Sequence, residues 1–185
     1  MMGHVMNLFT QFVHEKGGEE ARLGLYTHIG VSPREYHFEE LYPEEEFTAL
    51  VVAALENLSL SVPELEEAFA DFFMRASPTI FPAVFEIATG ARDLLSRIPH
   101  LHRSIPSAVS RDSFVDKLIV KEERTHSLLL KYDSPHRLCG FLQHVCQLTL
   151  EHYGETGRIE EHECAREGEA ACLIEVHFDE DIRDD

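Results

Sequence analysis

The chain is short of positive charge. Its 185 residues carry 16 Lys and Arg against 34 Asp and Glu, a formal net charge of −18. Binding to a phosphate backbone needs a basic footprint, so this balance argues strongly against a nucleic-acid partner. It argues equally against an anionic membrane surface. Part of the acid is local, in Glu44-Glu45-Glu46 and in the tail from Asp179-Glu180-Asp181 to Asp184-Asp185, and reads as solvated, self-repelling surface. No apolar run reaches the roughly 18 to 20 residues that span a bilayer. The opening Met1-Met2-Gly3-His4-Val5 has no basic region, long apolar stretch or cleavage site of a secretory signal. The expected compartment is the cytoplasm, where four cysteines are thiols or metal ligands rather than disulfides. Catalytic motifs are missing as well. There is no Gly-x-Ser-x-Gly elbow and no P-loop. His162-Glu163-Cys164 looks like a deaminase fragment, but no Pro-Cys-x-x-Cys follows it. The chain is therefore not expected to be an enzyme. It has no internal repeat and no low-complexity stretch.

What is present is a chain with 44% apolar residues, enough for one domain or two intimate subdomains. The first half reads as successive helices. Val5, Leu8, Phe9, Phe12 and Val13 follow helical spacing, and a second helix runs from about Glu19 to Ile29 with Gly30 as its stop. Pro43 opens a third, whose first-turn acids suit the helix dipole. Ser61-Val62-Pro63-Glu64 is a capping box ahead of Leu65, Phe69, Phe72 and Phe73. Helical stretches near 80–88 and 91–104 follow. The period then changes to short β-rich runs at 114–120 and 126–132, an expected hairpin. An amphipathic helix over about 135–153 and two strands at about 158–165 and 171–178 complete a ββαββ order. The fold class is α+β, a helical N-terminal subdomain (1–65) joined to a proximal subdomain (66–185) with an antiparallel sheet.

Three groups of residues can carry chemistry. His102 lies on the helix over 91–104, and a neutral imidazole on a helix beside an aromatic pocket is a common axial ligand for haem iron. From spacing alone the better reading is an ordinary surface or core histidine, with the aromatic stripe simply core. Tyr132-Asp133-Ser134-Pro135-His136-Arg137 sits where a strand passes into a helix, a place where hydroxyls, cations and a helix N-terminus can hold an anion. A Ser cap with Pro at the first helical position explains Ser134-Pro135 without any ligand. Cys139, His162, Cys164 and Cys172 make a complete three-thiolate, one-imidazole set for tetrahedral zinc. Strand alternation puts 162 and 164 on one face. Free or redox-active thiols are the other reading. Cys146 reads as a buried core thiol.

Together these features resemble the haem–nitric oxide/oxygen-binding (H-NOX) family. The resemblance spans essentially the whole chain: the opening Met2-Gly3-His4-Val5-Met6-Asn7, the helix order through Ser61, a helix carrying Leu101-His102, and Tyr132-x-Ser134 just before a long helix. The family signature there is Tyr-x-Ser-x-Arg, and this chain has His136 at the Arg position with Arg137 next. The family's paired prolines after the proximal helix are replaced by Pro106-Ser107-Ala108-Val109-Ser110. The resemblance implies haem b with His102 as proximal iron ligand and Tyr132, Ser134, His136 and Arg137 around the propionates. It implies a distal pocket lined by Val5, Phe9, Phe141 and Val145. Oxygen-binding members carry a distal tyrosine at what corresponds to Phe141, so the chain is expected to take NO and CO with little or no O2. NO binding would weaken the bond to His102, and the helix shift that follows would be read by a separate histidine kinase or cyclic-di-nucleotide enzyme. A subset of the family carries a Cys/His zinc cluster near the C-terminus. The alternative function is a haem-poor thiol/zinc redox sensor of the same fold.

Overall fold

The computed structural model describes residues 1–37, 40–104 and 118–179, with the backbone alone for 100–104. The N-terminal half is built from α1 (Gly3–Ile29), α2 (Glu44–Leu58), α3 (Val62–Ile80), the short α4 (Pro82–Ile87) and α5 (Ala91–Ser104). The two helices read from the sequence before Gly30 are halves of α1. They meet at Gly18, whose φ of 74° and ψ of −173° break the helical path in a region open mainly to glycine. Amphipathic spacing folds the first half of α1, α2 and α3 around one core. Phe9 meets Phe47 and Phe69 edge-on at 5.3 and 5.1 Å, and Phe12 lies 5.4 Å from Phe69. Each such pair adds about 0.5–1.5 kcal/mol beyond area burial. The capping box opens α3 as its sequence requires, with the Ser61 N–H donating to Glu64 at 2.8 Å.

A four-stranded antiparallel sheet follows, from β1 (Leu118–Glu123), β2 (Ser127–Tyr132), β3 (Gly157–Glu163) and β4 (Cys172–Phe178), in the order β1-β2-β4-β3. Between the hairpins runs α6 (Cys139–His152). It starts later than Pro135 because the preceding residues form a turn. The Arg137 N–H bonds the Ser134 carbonyl at 3.1 Å, and Arg137 has φ 48°. One face of α6, with Cys139, Leu142, Cys146 and Leu150, packs with Ala91 and Leu95 of α5 onto Leu128, Leu130, Ile174 and Val176 of the sheet. Its other flank, Phe141 and Val145, packs on Ala70, Phe73 and Met74 of α3. The helical core and the sheet core thus meet along α6.

Gly140 marks the closest approach of α6 to α3. A Cβ there would stand 2.5 Å from Oε2 of Glu66. Glu66 is 2% exposed and pairs with Arg166 from the short 3-10 turn Ala165–Glu167. On the far face of the sheet, Glu175 accepts from Ser127 Oγ at 2.6 Å and from Arg124 at 3.1 Å, and lies 2.7 Å from Nε2 of His162. The Ser127 and His162 contacts hold its carboxyl down to about 2. Among the described residues, no single helix is long and apolar enough to cross a membrane.

Candidate functional site

The sequence-derived residues fall into three places. His102 lies on α5, the helix whose buried residues Ala91, Leu94 and Leu95 fix it to the rest of the molecule. Its N-terminus is fastened by Glu155, which accepts the Ala91 N–H at 2.9 Å. The His102 side chain lies outside what the structure describes, as do residues 105–117, with the Pro106–Ser110 segment and the first part of the strand expected at 114–120. Of the four residues expected on the distal side, Val5, Phe9 and Phe141 belong to the helical core, and Val145 shares a smaller cluster with Phe141. Phe9 is fully buried in the helical core, with Val5 and Phe141 packed against it. Phe141 stacks on Phe69 at 5.0 Å with an interplanar angle of 21°, and meets Phe73 edge-on. Val145 lies one turn further along α6, against Ala70 and Met74. All four side chains are apolar.

The β2–α6 turn gathers the polar residues. Tyr132 ends β2 directly opposite Cys172. Burial pushes its hydroxyl up to about 12, against hydrogen bonds from the Ser134 side chain and the Leu138 backbone. A buried phenol that stays protonated is a donor at every physiological pH, and beside it stands the Ser134 hydroxyl. These two groups fit a carboxylate such as a haem propionate. His136 does not join them. It is 3% exposed, its Nε2 is held by the Glu44 carboxylate and its Nδ1 by Thr48 Oγ1 at 2.9 Å. The Phe47 ring closes over it edge-on at 5.0 Å. The other oxygen of Glu44 takes the Met1 amino group at 3.0 Å. The carbonyl of Arg137 accepts from Arg166 Nε at 2.8 Å.

The third place is a thiol cluster behind Tyr132. Cys139 Sγ lies 3.6 Å from Cys164 Sγ, and the Ala165 N–H donates to Cys172 Sγ at 3.3 Å. All three thiols are buried. Burial pushes Cys139 up to about 12, and Cys172 upward as well. These groups are protonated unless a cation sits among them. A metal would supply that charge, and three sulfurs with one further donor suit tetrahedral zinc. The fourth donor differs from the sequence expectation. Glu161, not His162, joins the cysteines, and the four donor atoms lie within 4.8 Å of one another. The cause is a bulge in β3. Glu161 pairs with Ile174 but Glu163 pairs with Leu173, so one residue is extra. The added residue breaks simple alternation. The exposed Glu161 and the buried Cys164 then lie on the side of the other two thiols, while His162 turns to the far face and bonds Glu175. Cys146, a turn and more away, is a core thiol that burial also pushes up to about 12.

Four groups here escaped the sequence reading. Glu66 left a legible trace, an acid one turn before Phe69 and Ala70 on an apolar stripe, which demands a buried cation. Glu44, Glu161 and Arg166 left none, because their partners are distant in sequence or on the far side of a bulge.

A family model described as Haem-NO-binding matches residues 2–161. No curated protein matches the chain by sequence. Among solved structures, an H-NOX protein from S. oneidensis in the Fe(II)NO ligation state is similar at 19% identity and TM-score 0.78, with 97% of this chain and 100% of that one covered. An oxygen-binding H-NOX domain related to soluble guanylate cyclases aligns at 15% identity and TM-score 0.82, over 97% and 96% of the two chains. An unliganded Fe(II) H-NOX mutant from K. algicida aligns at 19% identity and TM-score 0.74, over 98% of each. These likenesses show the fold, and the match over residues 2–161 shows the family: the chain belongs to the Haem-NO-binding family.

Proposed function

We propose that this chain is a haem-based nitric oxide sensor domain that signals through a separate partner protein. The observation that carries the reading is the pair of half-buried, hydrogen-bonded hydroxyls of Tyr132 and Ser134 at the β2–α6 turn, in a chain whose family is Haem-NO-binding. His102 would hold the iron from α5. Tyr132 and Ser134 would hold the propionates, with Arg137 the nearest cation in sequence. When bound, haem supplies an Fe(II) centre that takes a diatomic ligand. The residues of this chain supply the rest. Val5, Phe9, Phe141 and Val145 keep the distal side apolar, and none carries a hydroxyl to steady bound dioxygen, which favours NO and CO. A sensor needs two states of different stability. The seam along α6, where the helical core meets the sheet, is the place where such a difference can be expressed. The partner would be a histidine kinase or a cyclic-di-nucleotide enzyme, chosen in part by the acidic surface. The domain itself would be non-catalytic and cytoplasmic.

The thiol cluster favours one addition. Cys139, Cys164, Cys172 and Glu161 would hold zinc, a closed site that fastens α6 to the β3–β4 hairpin and is open to oxidation.

The test is an absorbance spectrum. The purified protein should show a Soret band that NO shifts and that His102→Ala abolishes. A colourless protein that refuses added hemin sinks the proposal. Retention of an unchanged band by His102→Ala removes His102 from its role.

A further inference from the structure

We infer that Glu44 is an internal carboxylate that occupies His136 and competes with the carboxylate of an incoming ligand for it; this rests on the haem reading above. The argument begins with the inventory of an imidazole. It has two ring nitrogens, and in His136 both are spoken for, Nε2 by Glu44 and Nδ1 by Thr48. Burial and the Phe47 ring leave no third approach. Glu44 is drawn to this spot from the first turn of α2, and its other oxygen is held by the Met1 amino group. One carboxylate therefore spans two nitrogen donors from distant parts of the chain. His136 stands two residues after Ser134, and its own N–H contacts Ser134 Oγ at 3.4 Å. The His136 backbone thus adjoins Ser134, one of the two hydroxyls proposed to hold an external carboxylate.

Two anions cannot share one imidazole without repulsion, and only one can take its Nε2–H. A propionate held by Tyr132 and Ser134 meets His136 only by displacing Glu44. The chain thus carries a competitor for part of its own ligand grip. Glu44→Gln keeps the shape and removes the charge. The propionate then gains a charge-assisted hydrogen bond from His136, of a size that slows release about tenfold.

The measurement is transfer of hemin from the full chain to excess apomyoglobin, followed at the Soret band, for the wild type and Glu44→Gln. Parallel runs use hemin dimethyl ester, which has the same ring without carboxylates. The expected result is about tenfold slower transfer of hemin from Glu44→Gln and no change for the ester. Equal or faster hemin transfer overturns the inference, and so does an equal slowing of the ester. If circular dichroism shows Glu44→Gln unfolded, Glu44→Asp replaces it. A carboxylate one methylene shorter draws back from His136 and should still slow hemin transfer measurably; no slowing overturns the inference. A wild type that takes up neither ring overturns the haem reading and this inference together, whereas a wild type that binds both while the variants behave as it does overturns the inference alone.

Discussion

Replacing Gly140 by Ala sets two effects of opposite sign against each other. In an α-helix the change should stabilise by about 1 kcal/mol, because alanine loses less backbone freedom. Against that, the new methyl would stand 2.5 Å from Oε2 of Glu66 and 3.0 Å from its Cδ. The carboxylate cannot simply step aside. Glu66 is 2% exposed, and its other oxygen is bound to Arg166. Overpacking alone costs about 1–3 kcal/mol. Full loss of a buried pair costs about 3–5 kcal/mol. A partial shift of Glu66 takes a fraction of that, so the clash wins, with a net loss of about 2 kcal/mol. For a chain of this size that is a fall of about 4–8 °C in Tm. The assay is urea and thermal unfolding of a four-protein cycle: wild type, Gly140→Ala, Glu66→Ala and the double variant. In the Glu66→Ala background the clashing atoms are gone, and Gly140→Ala should recover its intrinsic gain of about 1 kcal/mol. The reasoning is refuted if Gly140→Ala alone raises stability, or if it costs the same in both backgrounds.

Three further outcomes follow from the same geometry. Glu175→Gln should destabilise at pH 7 by about 2 kcal/mol. A carboxyl held at about 2 instead of 4.5 sets a ceiling near 3 kcal/mol, and its half-exposed partners screen part of it. Because the folded value lies below the unfolded one, this stability is complete above about pH 5 and fades as pH falls from 4.5 toward 2; urea midpoints of the two proteins that stay equally far apart at pH 2.5 would contradict it. Phe141→Tyr should give the Fe(II) protein an O2-dependent Soret shift that the wild type lacks, since on the proposed function the ring would line the distal side and the change adds a donor; identical spectra in air would count against that assignment. Cys164→Ser should lower bound zinc from roughly one ion per chain to a small fraction of that, and peroxide should release zinc from the wild type. Metal analysis finding no zinc in the wild type would remove the site.

The element order was legible because its signals are local. The Ser61 capping box, the Gly30 stop and the change of period read from about residue 114 each act within a few residues of where they are written. The break at Gly18 was legible as a new helix at Glu19. What was not legible depends on contacts far apart in the chain. The Glu44–His136 pair spans 92 positions, with no pattern at either end to announce it. The assignment of His162 to the thiols failed for a different reason. Alternation is a reliable rule only inside an unbroken ladder, and the extra residue between Glu161 and Glu163 reversed it for everything that follows. The later start of α6 has the same character, since Pro135 suits a turn as well as a helix and the left-handed Arg137 decides the matter.

The strand order β1-β2-β4-β3 bears on how the molecule assembles. Each hairpin closes locally, β1 with β2 and β3 with β4, at little loop-closing cost. The β2–β4 pairing joins the two halves of the sheet, and it sets Tyr132 opposite Cys172, forty positions later. Contacts of such separation form slowly. A ribosome-bound chain therefore holds His102, Tyr132 and Cys139 well before Cys164 and Cys172 emerge to complete the sheet. The residues proposed to hold haem and zinc adjoin this late pairing, so loading of either ligand would be a late event in the life of the nascent chain.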